Sequence, residues 1–223
     1  MDKKKMLKIS IIVVLLLVIV LMFFKFYNYN NLKNGNNIGD KTLKEIEEYI
    51  LNISSYTTDM EVVIESNKNV NKYIMNQEFV APNIVSQKII EPKNIEGLTV
   101  KYDGNNLEIF NSNLNLNTIY ENYEYVTDNV LWLSDFIQNY RSENGEIREE
   151  DDFVIMEFKS NKNKYCVSEK LYIDRKANKI SKLIIEDENK KNRIYITYNK
   201  IEIGSLNQGN ILAYKEYNNS RDI

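Results

Sequence analysis

The chain has 223 residues, 43% of them hydrophobic, with 29 basic and 32 acidic side chains, a net charge of −3, one Cys and no His. A single Cys excludes an internal disulfide and a thiolate zinc site, and the missing His excludes Ser-His-Asp and Cys-His catalysis, imidazole metal ligation and HExxH zinc centres. The charge is uneven: residues 1–33 hold six Lys and one Asp, leaving 23 basic and 31 acidic side chains downstream, a net charge of about −8 that repels nucleic acid and other polyanions.

Lys3, Lys4, Lys5 and Lys8 lead into a run without charge from Ile9 to Phe24. As a helix that run is roughly 24 Å long, and with Met6, Leu7, Phe26, Tyr27 and the snorkelling Lys8 and Lys25 it reaches roughly 33 Å, enough to cross a ~30 Å hydrocarbon slab. The basic side is N-terminal, which puts the rest of the chain outside the cytoplasm. No small residues follow the apolar run as a signal-peptide cleavage site requires, and the only Cys, Cys166, is far from any lipidation position. Residues 1–27 therefore read as a cytoplasmic basic end and a retained single-pass anchor in the cell membrane. Asn28 to Asp40 is polar, Asn-rich and aperiodic, the composition of a flexible tether.

Thr42 and Glu45 have the spacing of a capping box, and Leu43, Ile46, Ile50 and Ile53 follow at helical intervals. From Tyr56 the period changes to two. Met60, Val62 and Ile64 alternate with more polar neighbours, as do Tyr73, Met75, Gln77 and Phe79, which predicts strands; Ile84 to Glu91 continues the series. Leu98–Tyr102 and Leu107–Phe110 form a hairpin across Asp103-Gly104-Asn105-Asn106, where Asp-Gly permits positive φ.

A second helix is expected where Val130, Leu133, Phe136, Ile137 and Tyr140 share one face, with Asp128 or Asn129 as cap and Trp132 off the stripe. Glu149 to Asp152 reads as an acidic loop. Four strands follow: Phe153–Phe158, Tyr165–Ile173, Lys179–Glu186 and Arg193–Tyr198, the last three separated by turns at 174–178 and 187–190. Cys166 falls mid-strand on this reading, as a small buried apolar residue. The fold class is α+β, a long antiparallel meander with one helix before it and one inserted.

Chemistry is scarce in this pattern. No phosphate-cradling glycine motif occurs, the Glu149–Asp152 run lacks calcium-loop spacing, and no catalytic residue, cofactor or metal is implied. The aromatic residues Tyr120, Tyr123, Tyr125, Trp132 and Phe136 admit two readings. They fill a core between helix and sheet, or they line an apolar groove or a docking patch for another protein.

The order of helix, strands, Gln87-Lys88-Ile89-Ile90-Glu91-Pro92, then Gly97 through the Tyr102-Asp103-Gly104 hairpin to Phe110, resembles the lipoprotein-carrier (LolA-like) fold. The strand–turn–strand Lys170–Asp187 resembles that family's second signature. Together they cover roughly residues 41–203. Within that fold, Asn113–Tyr120, Tyr125, Asn129–Phe136 and Tyr140 are similar to the clostridial spore germination lipoprotein GerS and its related proteins. The resemblance implies a half-barrel sheet with helices on its concave side at 41–203, followed by a tail at 204–223. It also implies a non-enzymatic extracytoplasmic accessory protein of sporulation that assists a cell-wall amidase in spore cortex modification and germination. With no lipidation Cys, the membrane helix takes the place of the lipid. The fold alone also admits a binder or carrier of lipid or acylated peptide in an apolar groove.

Overall fold

The structure, a computed structural model, describes residues 38–123, 130–160, 166–204 and 206. The anchor at 1–27, most of the tether and nearly all of the 204–223 tail lie outside the described residues. Among the described residues no helix is long and apolar enough to cross a membrane. Ile38–Asp40 form one 3-10 turn in an N-terminal unit, residues 1–40; the rest belongs to a second unit, Lys41–Ile223.

The first helix, α1 (Leu43–Leu51), begins as the capping box requires. Glu45 N–H donates to Thr42 Oγ1 at 3.3 Å and Thr42 N–H donates to Glu45 Oε2 at 2.8 Å, so two backbone donors without helical partners are satisfied. Its apolar stripe buries Ile46 and Ile50 completely, each worth about 1.5–3 kcal/mol of hydrophobic free energy.

Among the described residues eleven strands follow: β1 (Ser55–Glu65), β2 (Val70–Val80), β3 (Ile84–Glu91), β4 (Thr99–Tyr102), β5 (Leu107–Asn111), β6 (Leu116–Tyr120), β7 (Glu146–Glu150), β8 (Phe153–Lys159), β9 (Ser168–Asp174), β10 (Lys179–Glu186) and β11 (Arg193–Ile203). They form one curved antiparallel sheet in the order β6-β5-β4-β3-β2-β1-β11-β10-β9-β8-β7. Two meanders thus meet at the β1–β11 pair. The connection from β6 to β7 must travel from one edge to the other, and it does so through α2 (Leu133–Ser142). Register shifts at Asp59/Met60, Ile74/Met75 and Ile180/Lys182 each insert a residue that bends its strand, which is how so wide a sheet curves.

Period-two burial gives the sheet one apolar face. Tyr56, Met60 and Val62 of β1, Met75 and Phe79 of β2, Leu171 and Ile173 of β9, and Ile196 and Tyr198 of β11 all point beneath the helices and are buried. The helices lock to each other as well: Tyr140 Oη donates to Glu47 Oε1 at 2.6 Å, and Arg141 Nη2 donates to the Leu51 carbonyl at 2.5 Å.

Four details differ from the sequence expectation. The supposed acidic loop is strand β7 through Glu150, followed by a turn whose Asp151 takes φ +53°. Residues 116–120 are a strand. β9 starts at Ser168, so Cys166 precedes it in a bend, half-buried and outside any disulfide. Helix α2 begins only after Trp132, which takes the N-cap position without a side-chain cap; Asp128 and Asn129, the expected caps, lie outside the described residues.

Candidate functional site

The apolar face beneath the helices is filled by the protein itself. Tyr56 stacks on Phe79 with ring centroids 5.4 Å apart, and Phe136 lies 5.6 Å from Phe158 and 5.9 Å from Tyr140. A buried amide, Gln77, ties the layers: its Oε1 accepts from Tyr56 Oη at 2.8 Å, and its Nε2 donates to Gln87 Oε1 at 3.0 Å and to the Leu131 carbonyl at 3.3 Å. Trp132 and Phe136 sit within this core, both under 4% exposed. Of the five aromatic residues singled out in the sequence, these two are buried in the core.

The others go elsewhere. Tyr120, 49% exposed, ends β6, and the half-buried Tyr123 lies 6.3 Å from it and 6.4 Å from Tyr102, whose hydroxyl donates to the Tyr123 carbonyl at 3.2 Å. Tyr125 lies outside the described residues. Beside Tyr120 stand side chains that the sequence reading passed over: Leu114, Leu116 and Ile119, the last 55% exposed. One signal could have found them. Between Glu108 and Glu121 the chain carries no charge at all. Leu116, Ile119 and Tyr120 lie on β6, with Leu114 in the 3-10 turn before it; among the described residues β6 is a sheet edge whose backbone N–H and C=O groups face outward on one side, which is the template for adding another strand.

A buried polar cluster lies under α2. Glu169 of β9 is 2% exposed and Asp135 of α2 is 4% exposed. Burial, and then the Asp135 carboxylate beside it, push the Glu169 carboxyl from its ordinary 4.5 up to about 8, while a hydrogen bond with Asn139 pulls the other way. Burial also raises the phenol of Tyr198, whose hydroxyl has no hydrogen-bond partner among the described residues. Two carboxyls of this kind resemble an acid–base pair, but so enclosed a pair offers substrate no approach. Among the described residues no group of three or more Cys, Asp or Glu is placed to hold a metal ion.

No protein-family model matches the chain, and no curated protein sequence does. Solved structures are similar to it. One is the CwlD amidase from Clostridioides difficile in complex with the GerS lipoprotein: 21% identity, 71% of this chain and 92% of that chain covered, TM-score 0.45. An uncharacterised conserved protein from Thermus thermophilus is 9% identical over 77% of this chain and 93% of that one, with a TM-score of 0.48. A LolA superfamily protein from Nitrosomonas europaea is 12% identical over 75% and 96%, with a TM-score of 0.42.

Proposed function

We propose that this chain is a non-enzymatic extracytoplasmic accessory protein, held to the membrane by residues 1–27, which docks a cell-wall amidase or comparable protein through the β6 edge. The observation that carries this reading is the exposed, uncharged strand Leu116–Tyr120, with Leu114 beside it. Strand edges without charge are rare on soluble surfaces because they pair with whatever arrives, so one left open fits a partner that covers it. The partner would add an extended, uncharged segment, its main chain pairing with β6 and its side chains meeting Leu116, Ile119 and Tyr120. The resemblance of residues 113–140 to the GerS-related group supplies the class of partner and the setting, modification of spore cortex and germination. The lipid-carrier alternative finds less support, because the apolar face that would hold an acyl chain is occupied by Tyr56, Met60, Phe79 and Phe136.

The test is binding of the full chain, in detergent, to a purified cell-wall amidase. Ile119→Asp should weaken binding by tenfold or more, about 1.4 kcal/mol, without moving the melting temperature. Full-strength binding by a folded Ile119→Asp chain removes the edge from the interface. Hydrolysis of cell-wall polymer by the chain alone overturns the non-enzymatic reading.

A further inference from the structure

The face of β1–β5 turned away from the helices carries two rows of cross-strand neighbours. One runs Thr57, Glu78, Ser86, Lys101; the other runs Asp59, Asn76, Lys88, Thr99, Phe110. They line a groove of about 800 Å³. Its end wall is preformed: the buried Asn111 donates from Nδ2 to the Glu96 carbonyl at 2.9 Å, and its Oδ1 accepts from Asn113 N–H at 2.9 Å and Leu114 N–H at 3.1 Å. Thr99 Oγ1 donates to the carbonyl of Gly97, which turns the wall at φ +82°.

The lining selects its ligand by elimination. An acyl chain would strip water from hydroxyls, amides and charges and leave them unpaired. Three carboxylates, Asp59, Glu78 and Glu96, nearly balance Lys88 and Lys101, so neither a polyanion nor a polycation is favoured. What fits is neutral, elongated, rich in donors and acceptors, and apolar on one face. That last feature would meet the Phe110 ring once Lys101 Nζ, which stands over the ring 5.0 Å from its centroid, swings aside. The rows repeat at the spacing of paired strands, about 4.8 Å, close to the advance per sugar along an extended β-1,4-linked chain, and five strands span roughly 19 Å. We propose that this groove binds a neutral β-1,4-linked glycan lying across strands β1–β5. Each sugar then meets the side chains of about one strand. An α-1,4-linked chain coils and loses that register.

Calorimetric titration of the full chain in detergent tests this, with the N-acetylglucosamine tetramer chitotetraose as ligand and maltotetraose as the α-1,4 control. Chitotetraose should bind, maltotetraose at least tenfold more weakly, and Phe110→Ala and Lys88→Ala should each weaken chitotetraose by about tenfold. Lys88 is exposed, so its removal leaves folding intact even if Phe110→Ala does not. Absence of chitotetraose binding at millimolar ligand, equal affinity for maltotetraose, or unchanged affinity in folded Lys88→Ala overturns the proposal. Ile119→Asp should leave glycan binding untouched, so the groove and the β6 edge fail separately.

Discussion

The two edges of the one sheet are built to opposite rules. At one end β7, Glu146–Glu150, consists of four charged residues and Ile147, and its charges are engaged: Arg148 pairs with Glu157 and with Glu150, and Glu149 pairs with Arg175 Nε at 2.8 Å. Helix α1 also lies against it. At the other end β6 presents Leu, Asn, Thr, Ile and Tyr, without a charge and with Ile119 and Tyr120 largely in solvent. Charges on an edge cost an incoming strand their desolvation, so β7 refuses pairing and β6 permits it. Among the described residues the same fold guards one edge with charge and leaves the other uncharged, and the proposed partner would add at the uncharged end.

The comparison requires that the aromatic residues near β6 be of two kinds, and substitution separates them. Trp132→Ala should cost about 3–5 kcal/mol, because it empties a packed site between α2 and the sheet. Tyr120→Ala, at the half-exposed end of β6, should cost under about 1 kcal/mol yet weaken amidase binding. Denaturant unfolding and binding of both variants decide it. Equal losses of stability would make Tyr120 part of the core and dissolve the contrast between edge and interior.

The β7 half of the sheet, closed at its edge, carries its tension inside. Glu169 titrates near 4.5 when unfolded and about 8 when folded, so the native state holds the proton more tightly. The favourable contribution is complete below pH 4.5 and is lost as pH rises toward 8, where an ionised, buried carboxylate must be accommodated beside Asp135. Stability should therefore fall between pH 5 and 8 by an amount on the order of a few kcal/mol, before other groups are counted. Glu169→Gln should flatten that slope and be the more stable protein at pH 8. An unchanged slope in Glu169→Gln would assign the pH dependence to other groups.

Much of this fold is legible in the chain because local and tertiary preferences agree. Thr42 and Glu45 announce α1, and the alternation around Met60, Val62, Met75 and Phe79 survives because those strands have one dry face and one wet face. The edges fail that test. Asn113, Asn115 and Asn117 interleave with Leu114 and Leu116 at period two, but Asn disfavours strands and an edge lacks the burial contrast that period usually reports, so the sequence predicts no strand there. β7 is hidden by its charges in the same way. Trp132 misleads for another reason. It stands one residue before α2, so a helical wheel places it off the stripe while the N-cap backbone turns it inward. That the two meanders join into one sheet, with β6 and β7 at its opposite ends, depends on β11 pairing with β1, residues well over a hundred positions apart, and no window of sequence contains that fact.

The smallest expected effect comes from loosening the guarded edge. Arg148 is 41% exposed on its side chain, its partner Glu150 is 62% exposed and Glu157 is 27% exposed, so water and salt screen both pairs. Lys170 Nζ, 3.2 Å from Glu157, keeps that carboxylate compensated when Arg148 is removed. Arg148→Ala should therefore cost under about 1 kcal/mol, and less in high salt. Its effect on amidase binding should be nil, because Glu146, Glu149 and Glu150 still guard β7 and the partner pairs with β6. Thermal melts at low and high salt, run beside the binding assay, read both quantities. A loss of amidase affinity in Arg148→Ala as large as that in Ile119→Asp would place the partner at the wrong end of the sheet and reverse the contrast between the two edges.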